Sequence, residues 1–569
     1  VIIPFSLSYQ YPQQSIVRNA APLARHTIHT YQPVARRNSI SALRIFHNQK
    51  SDRFSRTSVE YTKARQGSTV VSLSSSGNDE GTKSTVQSIF SLAVPALASL
   101  AIDPLMTLAD TAFVGRTATN SNALAGMGSA AALLTFSFYL FNFLCTATTP
   151  LVASRRASGD ENGALVVGGQ ALSLSLVLGS TLTCGLLLFS SQLLGVMGTG
   201  VTGAEADGFA RSFLTIRSLA APAVLAISAS TGVLRGYLDT KTPLVILVIA
   251  NIVNLALDVV LVLGGGMGPT GAAIATTTAE WICAIALLGV LAGKLPSAAG
   301  ELGSNQRVRT SPDNSSSRNE NEILSIVPSL SVPSWDSVEP LIIASSSVFL
   351  RSVVLQLALS GAAAMAARST GFEGSGASAS VAAHQIAFQI WILCSFVCDA
   401  LAAASQALVA DALGGNKPDI ARDVSRTVIG YSLGLGIALS VSLAVGTYGT
   451  DFLMDFFTTD VATRNALLPL LTVVVLAQPL NAFVFAADGI LQGASQFTFQ
   501  AKAMALSGSA AVGAFIGLEY LGMDNGIPPG TDTLVHVWYA LVFLQLMRGL
   551  TSFLKIVDKE GPIELLKTP

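Results

Sequence analysis

From Val86 onward, long apolar stretches follow one another with short polar breaks between them. Their alternation predicts helices near 87–113, 123–152, 164–190, 208–233, 243–264, 270–293, 339–366, 378–411, 426–448, 465–487, 498–521 and 534–556. A hydrocarbon core about 30 Å thick takes roughly 20 apolar residues per helix, so each stretch reads as a membrane span. Those that run longer have room to tilt or to pass the interface. One break is of another kind: residues 295–337, including SNQRVRTSPDNSSSRNENE, are rich in Ser, Asn, Gly and Pro and predict a flexible linker. The expected fold class is all-α integral membrane, with twelve transmembrane helices in two six-helix lobes, 86–294 and 338–558, and a C-terminal tail, 559–569.

Composition agrees with the pattern. The 569 residues are 50% hydrophobic and 12% charged, against about 25% charged in soluble domains. A net charge of −1 and the absence of a basic stripe with interleaved aromatics exclude a nucleic-acid partner. All five cysteines fall in apolar segments, and Cys394 and Cys398, at i,i+4 spacing, have no further ligands nearby, so no metal site is expected. Three of the five histidines lie in the first 50 residues, which leaves too few for a membrane-embedded hydrolytic centre, and no enzyme is expected.

The first 85 residues differ from the rest. Between Val1 and Lys50 stand Arg18, Arg25, Arg36, Arg37 and Arg44, many Ser, Gln and Asn, and no Asp or Glu. That is the composition of a transit peptide; a disordered tail is the alternative. The first residue is Val rather than Met, so the leader is expected to be incomplete. A plastid envelope is the first expectation for location, with mitochondrial or plasma membrane as alternatives. Arg155, Arg156, Arg235, Lys241, the linker cations, Lys417, Arg422, Arg426 and Lys502 gather on the side of the N-terminus, which the positive-inside rule makes the inner side.

An internal repeat sharpens the architecture. Pro222, Gly232, Leu234 and Gly236 in PAVLAISASTGVLRG recur as Pro479, Gly489, Leu491 and Gly493 in PLNAFVFAADGILQG, each 257 residues later (479 − 222 = 257). The same shift carries Leu151-Val152-Ala153 onto Leu408-Val409-Ala410. Six helices separate the copies, so the repeat is parallel, about an axis along the membrane normal. Two such lobes with a cleft between them suit alternating access.

Ionisable side chains at membrane depth cost at least about 2.5–3.5 kcal/mol and usually face a protein interior or a wet cavity. In the first half these are Asp103 and Asp110 on one face of the first helix, then Asn251, Asn254 and Asp258 in NIVNLALDVVL, and Glu280 with Thr276 a turn before it. The step from Asn254 to Asp258 predicts a hydrogen-bonded amide–carboxyl pair. The repeat maps Asp110 to Ala367 and Asp258 to Phe515, so the acids belong to one lobe while the glycines and prolines belong to both. Such carboxyls could exchange protons or hold Na⁺, a hard cation that takes oxygen ligands; for Asp110 the alternative is a helix-end cap or interface anchor. In the second half Arg351, His384, Gln385, Asp399 and Asp488 are candidates to line a substrate cavity. Arg351 could bind a carboxylate or phosphate, or else pair with Asp399 or Asp488. His384 could titrate, or be a packed hydrogen-bonding residue. GGGMGPTG, near Gly264–Gly271, lacks the Lys-Ser/Thr of a P-loop and reads as a turn.

Pro95, LADTAFVG, ALAGMG, VLRGYLDTKTP, NIVNLALD, GAAIAT, VAAHQI and DGILQG occur in this order over residues 87–556. Together they resemble MATE multidrug and toxic compound extrusion proteins, above all the DinF-type branch with plastid and plant organic-acid exporters. The resemblance implies an antiporter that exports drugs, xenobiotics or organic acids in exchange for H⁺ or Na⁺, without a cofactor. Lipid-linked precursor flipping, found in the same wider superfamily, is the alternative, though often on fourteen helices. The resemblance puts the coupling site on Asp110 and Asp258, with Asn254 and Thr276 as accessories and Pro95 as the bending point. Members that couple through the second lobe use a seventh-helix glutamate in the bilayer; here Glu339 stands at the helix mouth and Arg351 inside. The expected partners are the lipid bilayer and a small organic substrate, with the chain acting as a monomer.

Overall fold

The computed structural model describes residues 78–117, 121–196, 204–295, 326–327, 335–366, 368–369, 376–450, 452–524 and 532–566; the leader and most of the linker lie outside them. Among the described residues all regular structure is helical. The first half runs α1 (Asn78–Thr117), α2 (Ser121–Leu140), α3 (Phe143–Ala157), α4 (Glu161–Leu188), α5 (Ser190–Val196), α6 (Ala204–Ser218), α7 (Ala221–Gly236), α8 (Lys241–Asp258) with a π-helical end Val259–Gly264, and α9 (Gly268–Leu291). The second runs α10 (Trp335–Ala366), α11 (Gly376–Gly414), α12 (Pro418–Ala444) with a π-helical end Val445–Gly449, α13 (Phe452–Phe457), α14 (Val461–Gly493), α15 (Phe497–Asp524) and α16 (Thr533–Val557).

Among the described residues, eleven helices or near-continuous helix pairs are long and apolar enough to cross a membrane; α6 and α7, bent by 46° at a short break, make the twelfth. This division gives six spans before the linker and six after it. The bend has a local cause. Pro222 in the first turn of α7 has no N–H to continue the α6 ladder. The carbonyls so freed find partners, since Thr183 donates to Ser218 O at 2.7 Å and Trp281 Nε1 to Leu219 O at 3.1 Å. Inside a bilayer an irregular turn survives only if neighbouring side chains satisfy it in this way.

The 257-residue repeat is visible as packing. A Cβ on Gly179 would meet Pro222 Cα at 2.4 Å, and one on Gly436 would meet Pro479 Cα at 2.7 Å. Gly232 lies against Cys145 and Thr148, and Gly489 against Ala402 and Ser405; Gly236 lies against Val152, and Gly493 against Val409. Every partner is shifted by 257, as are the left-handed turns Gly159 (φ 84°) and Asn416 (φ 56°), and Leu238 (φ 61°) and Ser495 (φ 56°). Apolar side chains gain little by leaving lipid for one another, so close approach at small residues is what ties membrane helices together. The repeat preserves those approaches. For Leu238 the left-handed conformation costs about 1–2 kcal/mol, so its surroundings must hold it there.

Each lobe lends its first helix to the other. Ile89, Leu92 and Ala93 in the first half of α1 belong to a core with Leu401, Leu408 and Val409 of α11, Val424 of α12 and Leu491 of α14. Leu341, Ala344 and Val348 in the first half of α10 belong to a core with Leu144, Val167, Leu225 and Leu287 of the first lobe. Ring contacts repeat the exchange: Phe90 meets Tyr431 edge-on at 5.4 Å and Phe143 meets Phe349 edge-on at 6.0 Å. Farther along, α1 returns to its own lobe, where Val114 is buried with Met127, Leu186 and Val262. In the same way Ala366 of α10 is buried with Ala383, Leu467 and Trp538. The lobes therefore interlock on the side where α1 begins, called here the N-terminal face.

Candidate functional site

Asp110 lies seven residues before the end of α1, at Thr117, and is buried inside the first lobe. It is neither a helix-end cap nor an interface anchor. Asn254 Nδ2 from α8 donates to its Oδ1 at 3.4 Å, and Thr276 Oγ1 from α9 lies 3.2 Å from its Oδ2. The Thr276 hydroxyl is also 2.8 Å from Ala272 O, one turn back, so its proton has two competing acceptors.

Asp258, fully buried at the end of α8, interacts with the Asp110 carboxyl. Neither of its oxygens has a hydrogen-bond partner among the described residues, and Asn254 Oδ1 is also unpartnered. The amide–carboxyl pair predicted between Asn254 and Asp258 is absent. The amide turns across to α1, where Asp110 competes for the same donor. Directly after Asp258 the helix widens into its π-helical turn, an irregularity that often accompanies function.

Glu280 lies on α9 one turn beyond Thr276 and is held by both terminal guanidinium nitrogens of Arg217, from the end of α6; Nη2 to Oε1 is 2.8 Å and Nη1 closes on Oε2. Arg217 also acts electrostatically on Asp110. Sequence reasoning missed Arg217, although the span read over 208–233 places it well inside an apolar run. The signal was Glu280 itself, a mid-span acid that needs a partner. The Asp103 side chain lies outside the described residues. Pro95 is buried in α1, and its carbonyl accepts from Ser99 Oγ at 2.9 Å.

The second-lobe candidates do not form one cluster. Arg351 pairs with Asp488 Oδ2, to which Arg548 Nη2 also donates at 2.6 Å. Gln500 Nε2 lies 3.3 Å from Asp488 Oδ1. Arg548 Nη1 donates to Gln545 at 2.6 Å, Gln545 to Asn481 at 2.8 Å, and Asn481 to Ser395 at 3.1 Å. This network ties α10, α11, α14, α15 and α16 together. Arg548 and Gln500 escaped sequence reasoning, since an arginine in the last third of a span reads as snorkelling.

His384 stands apart from these charges, packed between Phe388 and Trp538 with ring centroids at 6.0 and 5.8 Å. It is 3% exposed, and Gln385 next to it is half-buried. Asp399, half-buried on α11, lies within electrostatic reach of Arg351 and Asp488 and of Arg235 from the other lobe.

The described first-lobe cluster thus gathers oxygens from three helices around Asp110 and Asp258 with fewer donors than acceptors. It has the oxygen chemistry to take a proton or a hard cation. In the second lobe Asp488 is already saturated.

Comparison with known proteins bears on the family and the fold. The family model described as MatE matches residues 95–260 and 363–514. Protein DETOXIFICATION 44, chloroplastic, of Arabidopsis thaliana is 29% identical over 499 residues, covering 86% of this chain and 85% of its own length. DNA damage-inducible protein F of Escherichia coli K12 is 36% identical over 209 residues, 37% of this chain and 44% of that protein. Among solved structures, an outward-facing conformation of a multidrug resistance MATE family transporter superposes with a TM-score of 0.68 at 19% identity, covering 85% of this chain and 97% of that one.

Proposed function

This chain belongs to the MatE family of membrane transporters, and on that premise we propose that it is a secondary active antiporter that exports small organic molecules, drugs and xenobiotics or organic acids, in exchange for H⁺ or Na⁺. The observation that carries this reading is Asp258, a fully buried carboxyl that accepts from no described donor and interacts with a second carboxyl, Asp110. A carboxyl in that state calls for a proton or cation. Filling and emptying the site from opposite sides of the membrane would couple ion flow to the exposure of the cleft. Asp110 and Asp258 would hold the ion, Asn254 and Thr276 would orient Asp110, and Arg217 would keep Glu280 occupied and set the local field.

The parallel arrangement of the lobes supports alternating access. The Arg- and Ser-rich first 50 residues, together with the word chloroplastic in the relative's name, support a plastid envelope location. We take the working unit as a monomer.

The test is flux in proteoliposomes under imposed pH or Na⁺ gradients, against a panel of organic cations and carboxylates. One of the two gradients is expected to drive counter-transport in the wild type, and Asp258→Asn to abolish it in protein that still inserts. Full gradient-driven flux in both Asp258→Asn and Asp110→Asn would overturn the site assignment. Imaging of a C-terminal tag in cells tests the location.

A further inference from the structure

Residues of both lobes meet at the N-terminal face in a contact that the coupling site does not use. Arg156, at the end of α3, reaches out of its own lobe: Nη2 donates to Asp411 Oδ1 of α11 at 2.8 Å, and Nη1 to Tyr237 O at 2.9 Å. Its guanidinium lies 5.7 Å from the Tyr237 ring centroid, and the Tyr237 hydroxyl donates to Glu161 Oε1 at 3.0 Å. Arg156 is thus held in place by its own lobe while it grips the other. Beside it the backbones touch, since a Cβ on Gly414 would fall 2.2 Å from Ser154 O. One step deeper Gln406 Nε2 donates across the cleft to Thr146 O at 2.6 Å.

Next to Tyr237, Leu238 adopts its left-handed conformation and packs against the second-lobe core that contains Leu408 and Leu491. The repeat puts Ser495 in the same conformation in the second lobe. The turn is therefore shared, and the leucine wedge belongs to one lobe only. The ion pair has no such equivalent either, because Arg156 maps to Leu413 and Asp411 to Ser154 (156 + 257 = 413; 411 − 257 = 154).

We propose that Arg156, Tyr237 and Asp411, with Leu238 as a wedge, form a latch that keeps the cleft closed on the N-terminal face and must release each time the cleft opens there. This deepens the alternating-access reading and rests on it. Of the two contacts, the ion pair is the reversible part: Arg156 and Asp411 are 22% and 28% exposed, so water can take over both charges as they separate.

The test is a distance distribution between spin labels on Ser158→Cys and Lys417→Cys, both exposed at this face, in full-length protein with Cys184, the exposed native cysteine, replaced by serine. The background with the latch intact is expected to give one short distance. Arg156→Gln and Asp411→Asn should each add a longer one, lowering the closed-to-open ratio about tenfold. Exchange of the charges, Arg156→Asp with Asp411→Arg, should restore the short distance. Unchanged distributions in the single variants, or an exchange as open as they are, would overturn the latch; if Arg156→Gln does not fold, Asp411→Asn carries the test. The measurement needs neither substrate nor gradient. Failure of the latch therefore appears as a distance, and failure of the antiport reading as absent flux in wild-type protein.

Discussion

The two lobes share a scaffold and differ in their buried charges. Where the first lobe has Asp258, Arg217 and Glu280, the shift of 257 gives Phe515, Val474 and Val537, all part of one apolar core. Where the second lobe has Arg351 and Arg548, the first has Val94 and Leu291. Within the first lobe Glu280 is paired with Arg217, but Asp258 is short of donors, whereas Asp488 holds two arginines and an amide. The same glycine contacts recur in both lobes, so the shared scaffold is built without reference to either cluster. A carboxyl that the scaffold does not need and does not satisfy is available for exchange, while one tied to two guanidiniums braces its helices.

The largest expected effect tests that contrast directly. Asp258→Asn should reduce gradient-driven flux to the liposome background, with little loss of thermal stability in detergent, since Asp258 accepts from no described donor and an Asn amide can still donate to the neighbouring Asp110 carboxyl. Asp488→Asn should do the reverse. It takes from Arg351 and Arg548 the carboxylate that both pair with, which costs about 3–5 kcal/mol and should appear as a much lower melting temperature. If Asp488→Asn were stable and inactive, the contrast between the lobes would fail.

Intermediate effects are expected from the donors to Asp110. Thr276→Val removes a hydroxyl already shared with Ala272 O, and flux should fall by less than about tenfold, the step that corresponds to about 1.4 kcal/mol. Asn254→Ala should cost more flux than Thr276→Val, because its amide has no second acceptor among the bonds described.

The smallest effects concern helix starts that the repeat should have made alike. Asp160 caps α4 by accepting from Gly163 N at 2.9 Å, whereas its counterpart Lys417 gives α12 no side-chain cap. Asp160→Ala should destabilise by about 1 kcal/mol, and Lys417→Asp should stabilise by a similar or smaller amount. Asp460, outside the membrane spans, accepts from Thr463 Oγ1 and N at the start of α14, which holds its carboxyl below the ordinary value. A depressed native value means stability that is present above the ordinary carboxylate range and lost as pH falls through it. Acid denaturation of Asp460→Ala should therefore show a shallower pH dependence than the wild type.

Hydropathy made all twelve spans legible, because the bilayer sets one length for every helix. Asp110 and Asp258 were legible for the same reason, as costs in an apolar run. Orientation was not. The turn of the Asn254 amide toward α1 depends on which helix packs beside α8, and no spacing within NIVNLALD carries that. The span read as continuous over 208–233 is bent, although Pro222 was visible in the sequence. Arg217, Arg548 and the Arg156–Asp411 pair went unseen because their partners come from distant helices, 63, 60 and 255 residues away.

The exchange of first helices between the lobes sets a condition on biosynthesis. Ile89, Leu92 and Ala93 are buried by residues such as Leu401 and Leu408, more than 300 positions later in the chain. At about 5–20 residues per second, a ribosome adds those partners roughly 15–60 s after α1 emerges. During that interval the first half of α1 must wait among lipids or insertion factors, since most of the core that buries it belongs to the second lobe. The first lobe made alone should therefore be an incomplete folding unit, and maturation should begin only when α11 arrives.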